Sequence, residues 1–264
     1  MYSLIITDLD GTAFPVGAPA VPSPAVVAAV TRARDNGLII TAATGRPLPA
    51  AVGPLTRLGV REPVVVNGGT RLVDPCTGDL LWGTRFTRTS LSALAPVLAP
   101  LDFPILIDDE SHADARAASH RAGDLLALRP YALYLVNVGR DRAVELVRAL
   151  TRVEGVALAI TPYLQDPARA EIQITPAWGT KAAGTEQLLE RLGISRDSAV
   201  AVGDSESDLP LFSAVGLSVA MGNAPRSIQC RADVVAPAVE DDGLAWVVDH
   251  LTRDPSGVTL RAAA

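Results

Sequence analysis

Cysteine is nearly absent from this chain, with two in 264 residues. Cys76 and Cys230 lie far apart, so no disulfide framework and no Cys-based metal pattern is available. Basic residues are in deficit, 23 Lys and Arg against 29 Asp and Glu, for a net charge of −6. A nucleic-acid binder is expected to carry a basic face, so that class is disfavoured. No apolar run approaches the roughly 18 residues needed to span a bilayer. The first apolar run leads directly to Asp8, with no basic stretch before it and no processing site after it, so no signal peptide is expected. Aromatics amount to only 4%, while apolar residues reach 48%. The core must therefore rest on Ala, Val and Leu. A soluble, cytoplasmic protein of one or two domains is the expectation.

The N-terminal third alternates strand and helix. Leu4–Thr7 reads as a buried strand. Phe14–Pro24 contains four prolines and must be loop. A helix from Ser23, as its cap, to about Asn36 is closed by Gly37. Leu38–Ala43 forms a second strand, Leu48–Leu58 a helix, and Pro63–Val66 a third strand. This rhythm predicts a doubly wound, Rossmann-like parallel α/β sheet. From Leu80 to Thr175 strand-like runs crowd together: Leu80–Phe86, Pro104–Ile107, Ala132–Val138, Val156–Thr161 and Ala170–Thr175. Helical patterns fall at Ser90–Leu98 and Arg140–Val153. An α+β module with a partly antiparallel sheet is expected. The earlier rhythm then returns with helix Lys181–Leu192, strand Ser198–Val202, helix Asp208–Ala214 and strand Leu217–Ala220. The expected organisation is a core of residues 1–79 and 176–264, interrupted by an inserted module at 80–175.

The chemistry concentrates at predicted strand ends. Ile5–Ile6–Thr7 delivers Asp8-Leu9-Asp10-Gly11-Thr12. Residues two apart on a strand face the same way, roughly 6.6 Å apart along the chain, and ligands of parallel α/β sheets bind at the strands' carboxyl ends. Asp8 and Asp10 can therefore act on one reacting group, one as nucleophile and one as general acid. Asp-x-Asp-Gly also opens calcium loops, but those need further oxygen ligands and a Glu within about 12 residues. Ala13, Phe14, Pro15 and Val16 supply none.

Three more features share this placement. Thr44-Gly45-Arg46 joins a hydroxyl, backbone N–H groups before a helix and a guanidinium fork, which together suit an anion. Lys181 starts a helix, where its charge opposes the helix dipole unless it faces carboxylates or phosphate. Gly203-Asp204-Ser205-Glu206-Ser207-Asp208 follows the run Ala199–Val202. Asp204 and Asp208 would converge with Asp8 and Asp10, and such carboxylates repel unless compensated. Mg²⁺ fits, preferring a few carboxylates with waters and phosphate oxygens.

These motifs, in this order, resemble the haloacid dehalogenase (HAD) superfamily and, within it, the Cof-like (HAD-IIB) sugar-phosphatase branch. Asn67-Gly68, Glu171-Ile172 and Met221-Gly222-Asn223-Ala224 strengthen the likeness, which is weak in the inserted module. The resemblance implies a Rossmann-like core with a mobile cap inserted after the third strand. It implies an Mg²⁺-dependent phosphatase of a small phosphorylated metabolite, such as a sugar or polyol phosphate. Asp8 would become an aspartyl-phosphate. Asp10 would protonate the leaving oxygen and then activate water. Thr44, Gly45 and Lys181 would hold phosphate, and Arg46, Asn67 and Asn223 would face substrate. Asp8, the Asp10 carbonyl, Asp204 and Asp208 would surround the metal.

The chain departs from the family pattern at Ser207, where Asn is usual, at Ala182, where Gly is common, and at Ala13, where Leu is expected. None removes a charged catalytic group. A phosphomutase would use the same aspartyl-phosphate and needs a bisphosphorylated activator. A non-catalytic phosphometabolite-binding protein would have no use for Asp10. His112 and His120, near Asp108, Asp109, Glu110 and Asp114, fit no compact ligand spacing. Trp82, Trp178 and Trp246 read as packing residues, Trp178 near the cap hinge being the one that could also touch a substrate.

Overall fold

The computed structural model describes residues 1–17, 19–101, 105–109, 125–163 and 166–263. They divide into two compact units, Met1–Trp82 with Lys181–Ala264, and Gly83–Thr180. In chain order the first unit begins with β1 (Leu4–Thr7), α1 (Pro24–Asp35), β2 (Ile39–Ala42), α2 (Leu48–Leu58), β3 (Val64–Val66), β4 (Arg71–Val73) and β5 (Leu80–Gly83). The second unit holds α3 (Arg88–Leu98), β6 (Ile105–Asp108), α4 (Leu125–Leu128), β7 (Ala132–Gly139), α5 (Arg140–Leu150), β8 (Val156–Tyr163) and β9 (Asp166–Pro176). The chain returns through α6 (Lys181–Leu192), β10 (Ala199–Gly203), α7 (Leu209–Ser213), β11 (Leu217–Ala220), α8 (Arg226–Gln229), β12 (Val234–Val235), α9 (Gly243–Arg253) and α10 (Val258–Ala263).

The first unit is built on a five-stranded parallel sheet in the order β12-β11-β10-β1-β2. β1 pairs on both sides, Ile5 standing between Val200 and Ile40. A strand covered on both faces needs a continuous apolar run, and Leu4, Ile5 and Ile6 provide one. Alternation then sorts side chains between two layers. Ile5, Ile40, Val200 and Val202 pack with Val26 and Val30 of α1, Leu55 and Leu58 of α2, and Val248 and Leu251 of α9. Leu4, Ile6, Ala199 and Ala201 pack with Leu188 of α6 and Leu211 and Phe212 of α7. Ser23 caps α1 by accepting from the Val26 N–H at 3.1 Å.

Strand order reverses between β1 and β10. From β1 the chain steps to β2 on one side, and its return through β10, β11 and β12 builds the other. The loops leaving neighbouring strands diverge at such a switch point, opening the crevice where ligands of this architecture bind. Asp8 follows β1 and Asp204 follows β10, so both stand at that crevice.

The third core strand behaves differently from the regular parallel strand suggested by the sequence. β3 meets β2 through one parallel bridge, Ala43 to Val65. It then turns through Asn67–Gly69 into antiparallel pairing with β4, and β5 completes a three-stranded sheet. The turn needs left-handed backbone at Asn67 (φ 55°) and Gly68 (φ 70°), which Asn and Gly tolerate best. β4 is too short to read as a strand from pattern alone. Through β5, Leu80 and Leu81 stay with the first unit.

The second unit is a four-stranded antiparallel sheet, β6-β7-β9-β8. Ile105, Ile107, Leu133, Leu135, Ile172 and Ile174 project from one face against Leu91, Leu94 and Leu98 of α3 and Leu146 and Leu150 of α5. No helix among the described residues is long and apolar enough to cross a membrane.

Candidate active site

At the switch point, the Asp8 loop, the loop after β2, the first residue of α6 and the loop after β10 come together within the first unit. Asp8 is 6% exposed and Lys181 2%. The Lys181 Nζ donates to Asp8 Oδ1 at 2.8 Å and to Asp208 Oδ1 at 2.6 Å. That pairing answers the electrostatic oddity of a lysine at a helix start, because two carboxylates offset the dipole.

Asp208 is fully buried, and its second oxygen shapes the loop. Oδ2 accepts from the N–H groups of Asp204 (3.1 Å) and Ser205 (3.0 Å) and from Ser205 Oγ (3.0 Å). Ser207 Oγ lies 2.9 Å from Ser205 Oγ, so the residue that departs from the family pattern extends this hydroxyl chain. Asp204 is held differently: Thr12 Oγ1 donates to its Oδ1 at 3.0 Å. Gly11, at φ +78°, presses its bare Cα face against the same carboxylate, leaving no room for a Cβ.

Asp8, Asp204 and Asp208 each offer a carboxylate oxygen, and these oxygens lie within 4.8 Å of one another. One ammonium faces three carboxylates, an excess of negative charge inside a largely buried site. Burial is the main cause of the raised Asp8 pKa, with Asp208 and Asp204 adding to it and Lys181 opposing, so the carboxyl is pushed up to about 8. Burial and then Asp208 push Asp204 up to about 6. Burial works against the charge on Lys181, yet Asp208 and Asp8 hold the ammonium protonated above its ordinary range. Hard oxygen donors with surplus negative charge suit a divalent cation.

Asp10 stands apart from this cluster. Arg46 grips its carboxylate with a two-pronged fork, Nε to Oδ2 at 2.7 Å and Nη2 to Oδ1 at 2.6 Å. The same guanidinium sits 5.5 Å from the centre of the Phe14 ring. Thr44 is buried. Its Oγ1 accepts from the Arg46 N–H at 3.1 Å and its carbonyl from the Gly68 N–H at 3.0 Å. Gly45 lies between these two residues. Asn67 is fully buried, and neither amide atom has a hydrogen-bond partner among the described residues. Its N–H donates to the Arg46 carbonyl at 3.0 Å, placing it beside the loop after β2. Asn223 sits on the far side of the Asp8 loop, donating to the Gly11 carbonyl at 2.9 Å.

Two contacts escaped the sequence reading. Arg46 was expected to face substrate, and it pairs with Asp10. Thr12 followed the Asp-x-Asp-Gly turn with no role, and it holds Asp204. Thr12 had one readable signal, a hydroxyl right after the turn glycine. Trp178 donates from Nε1 to Thr84 Oγ1 at 2.7 Å within the second unit. His112, His120, Glu110 and Asp114 lie outside the described residues.

A family model described as haloacid dehalogenase-like hydrolase matches residues 5–113 and 159–248. The chain is 28% identical to a phosphoglycolate phosphatase of Methanopyrus kandleri, covering 96% of this chain and 99% of that one. It is also 28% identical to a phosphoglycolate phosphatase of Pyrobaculum neutrophilum, covering 93% and 94%. Among solved structures, the HAD subclass IIB sugar phosphatase BT4131 matches with a TM-score of 0.77 at 16% identity, over 94% of this chain and 98% of that one. At that identity the likeness is one of fold.

Proposed function

Because this chain belongs to the haloacid dehalogenase-like hydrolase family, we propose that it hydrolyses a small phosphomonoester, a sugar or polyol phosphate, through an aspartyl-phosphate on Asp8. The observation that carries the proposal is the cluster of Asp8, Asp204 and Asp208 at the switch point, with buried Lys181 bonded to Asp8 and Asp208. Phosphoryl transfer mainly demands alignment and charge neutralisation, and this cluster is built for both.

In the first half-reaction an Asp8 carboxylate oxygen bonds to phosphorus while the bond from phosphorus to the leaving oxygen breaks. Asp10, released by Arg46 as the guanidinium turns to the substrate, gives its proton to that oxygen. In the second half, water attacks phosphorus, Asp10 takes the water's proton, and the acyl-phosphate bond breaks to free Asp8 and inorganic phosphate. Lys181 and Thr44, with the Gly45 backbone, hold the phosphoryl oxygens. Arg46 and Asn67 meet the rest of the substrate; a polar substrate group would satisfy the buried Asn67 amide. The Arg46 fork keeps Asp10 from swinging away before substrate arrives.

Mg²⁺ would be held by Asp8, the Asp10 carbonyl, Asp204 and Asp208. When bound it neutralises charge on the transferring group. The donors fit it: all are oxygens, and their charge exceeds what Lys181 balances. Two exposed free cysteines, Cys76 and Cys230, suit a reducing, cytoplasmic compartment.

The test is phosphate release from a panel that includes phosphoglycolate, hexose and polyol phosphates and p-nitrophenyl phosphate, with Mg²⁺ or EDTA. Metal-dependent turnover that disappears in Asp8→Asn is the expected result. No release from any compound would refute the reading and direct attention to a bisphosphate-activated mutase.

A further inference from the structure

We propose that Asn223 is a positioning residue: it holds the Asp10–Thr12 turn, and through Thr12 the Asp204 carboxylate, in the shape that receives the divalent cation. The inference rests on the metal-dependent reading above.

The Asn223 amide ties two stretches of main chain together. Its Nδ2 donates to the Gly11 carbonyl at 2.9 Å, and its Oδ1 accepts from the Val239 N–H at 2.8 Å. The loop presenting it is itself anchored. Gln229 Nε2 donates to the carbonyls of Gly222 (3.0 Å) and Ala224 (2.9 Å). The Met221 N–H donates to the Gly203 carbonyl at 2.9 Å. Gly203 ends β10, and Asp204 follows it. Asn223 thus ties the loop after β1 to the frame that carries Asp204.

Gly11 is where such a tie matters. Its φ of +78° is a conformation L side chains rarely adopt, and glycine is the residue freest to leave it. Its N–H donates to the Phe14 carbonyl at 2.8 Å, which orients the peptide plane containing the Asp10 carbonyl. Its own carbonyl accepts from Asn223, which orients the next plane, Gly11–Thr12. Thr12 must stay in place for its hydroxyl to reach Asp204 Oδ1 at 3.0 Å. The N–H edge of the same plane is held only by a longer bond, from Thr12 to the Leu9 carbonyl at 3.3 Å, so without the Asn223 contact the plane is more weakly fixed and the Thr12 hydroxyl can move off Asp204. Groups that orient metal ligands without touching the metal commonly change affinity by about 10- to 100-fold.

The experiment is calorimetric titration of the full chain with Mg²⁺ alone, beside melting curves in EDTA. Asn223→Ala is expected to weaken Mg²⁺ binding about tenfold. Thr12→Val should give a comparable loss of affinity, and the double variant less than the product of the two losses, because both act through one path. Val30→Ala is the control. It opens a cavity in the core beneath α1, away from the site. It should lower the melting temperature and leave Mg²⁺ affinity unchanged. Unchanged affinity in Asn223→Ala, equal losses of affinity in Asn223→Ala and Val30→Ala, or fully multiplicative losses in the double variant would each overturn the assignment. A wild type that binds no Mg²⁺ fails at an earlier point and overturns the metal reading itself.

Discussion

Replacing Asp8 by Asn removes the proposed nucleophile and one ionisable group from a site where three carboxyl groups face one ammonium. The two consequences should run in opposite directions: turnover is lost, and the metal-free protein becomes more stable. Burial chiefly, then Asp208 and Asp204, raises the Asp8 pKa from 3.8 to about 8. The folded state therefore keeps a proton that the unfolded chain releases above about pH 4. A group raised in this way contributes its stability fully below the unfolded pKa, and that contribution is lost as pH climbs to the folded value. Each unit is worth about 1.4 kcal/mol, so at pH 7 the ceiling on the penalty is about 4 kcal/mol. Local relaxation and water entry reduce it, and a gain on the order of 2 kcal/mol is expected for Asp8→Asn. At about 2–4 °C per kcal/mol for a chain of this size, the melting temperature in EDTA should rise by about 4–8 °C. The advantage should shrink towards pH 4 and level off above pH 8. Mg²⁺ should reverse the order, since saturation at a hundred times Kd adds about 2.7 kcal/mol to the wild type. Differential scanning calorimetry across that pH range checks all of this. An Asp8→Asn protein less stable than wild type at pH 7 in EDTA, or a difference that ignores pH, would refute the electrostatic reasoning.

Other substitutions separate the remaining roles. Lys181→Met leaves the Asp8 and Asp208 carboxylates without their buried partner. Denaturant titration in EDTA at pH 7 should show a loss of about 3 kcal/mol or more. Asp10→Asn should lower kcat on alkyl phosphates by about 100-fold or more, and less on p-nitrophenyl phosphate, whose leaving group needs little protonation. A larger loss on the latter contradicts the acid role. Its melting temperature should fall by about 2–4 °C, because the Asp10–Arg46 pair is two-pronged and only 31% and 17% exposed. Gly11→Ala drives a Cβ into the Asp204 carboxylate at a left-handed φ. Calorimetry should show Mg²⁺ binding lost, with about 1–3 kcal/mol of stability.

Much of this molecule is decided by local covalent rules. Two-residue alternation sorts Ile5 to one layer and Leu4 and Ile6 to the other, whatever packs there. Ser23 and Gly59 bound their helices through capping chemistry that a few adjacent residues carry. Asp8, Asp204 and Asp208 are tied to strand ends by chain connectivity, so their meeting near one sheet mouth followed from the order of elements, whereas Asp10, expected with them, pairs with Arg46. The turn into β4 was not legible, because three residues carry no usable period. Nor was Arg46 gripping Asp10, or Thr12 holding Asp204. Those pairs are separated by 36 and 192 residues. Which oxygen meets which donor is set by how β1, β2 and β10 lie side by side, and no local pattern encodes that. The chain order dictated which chemical groups would gather. Only the packed sheet decided which of them Lys181 and Arg46 neutralise, and so which carboxylates are left to hold a metal.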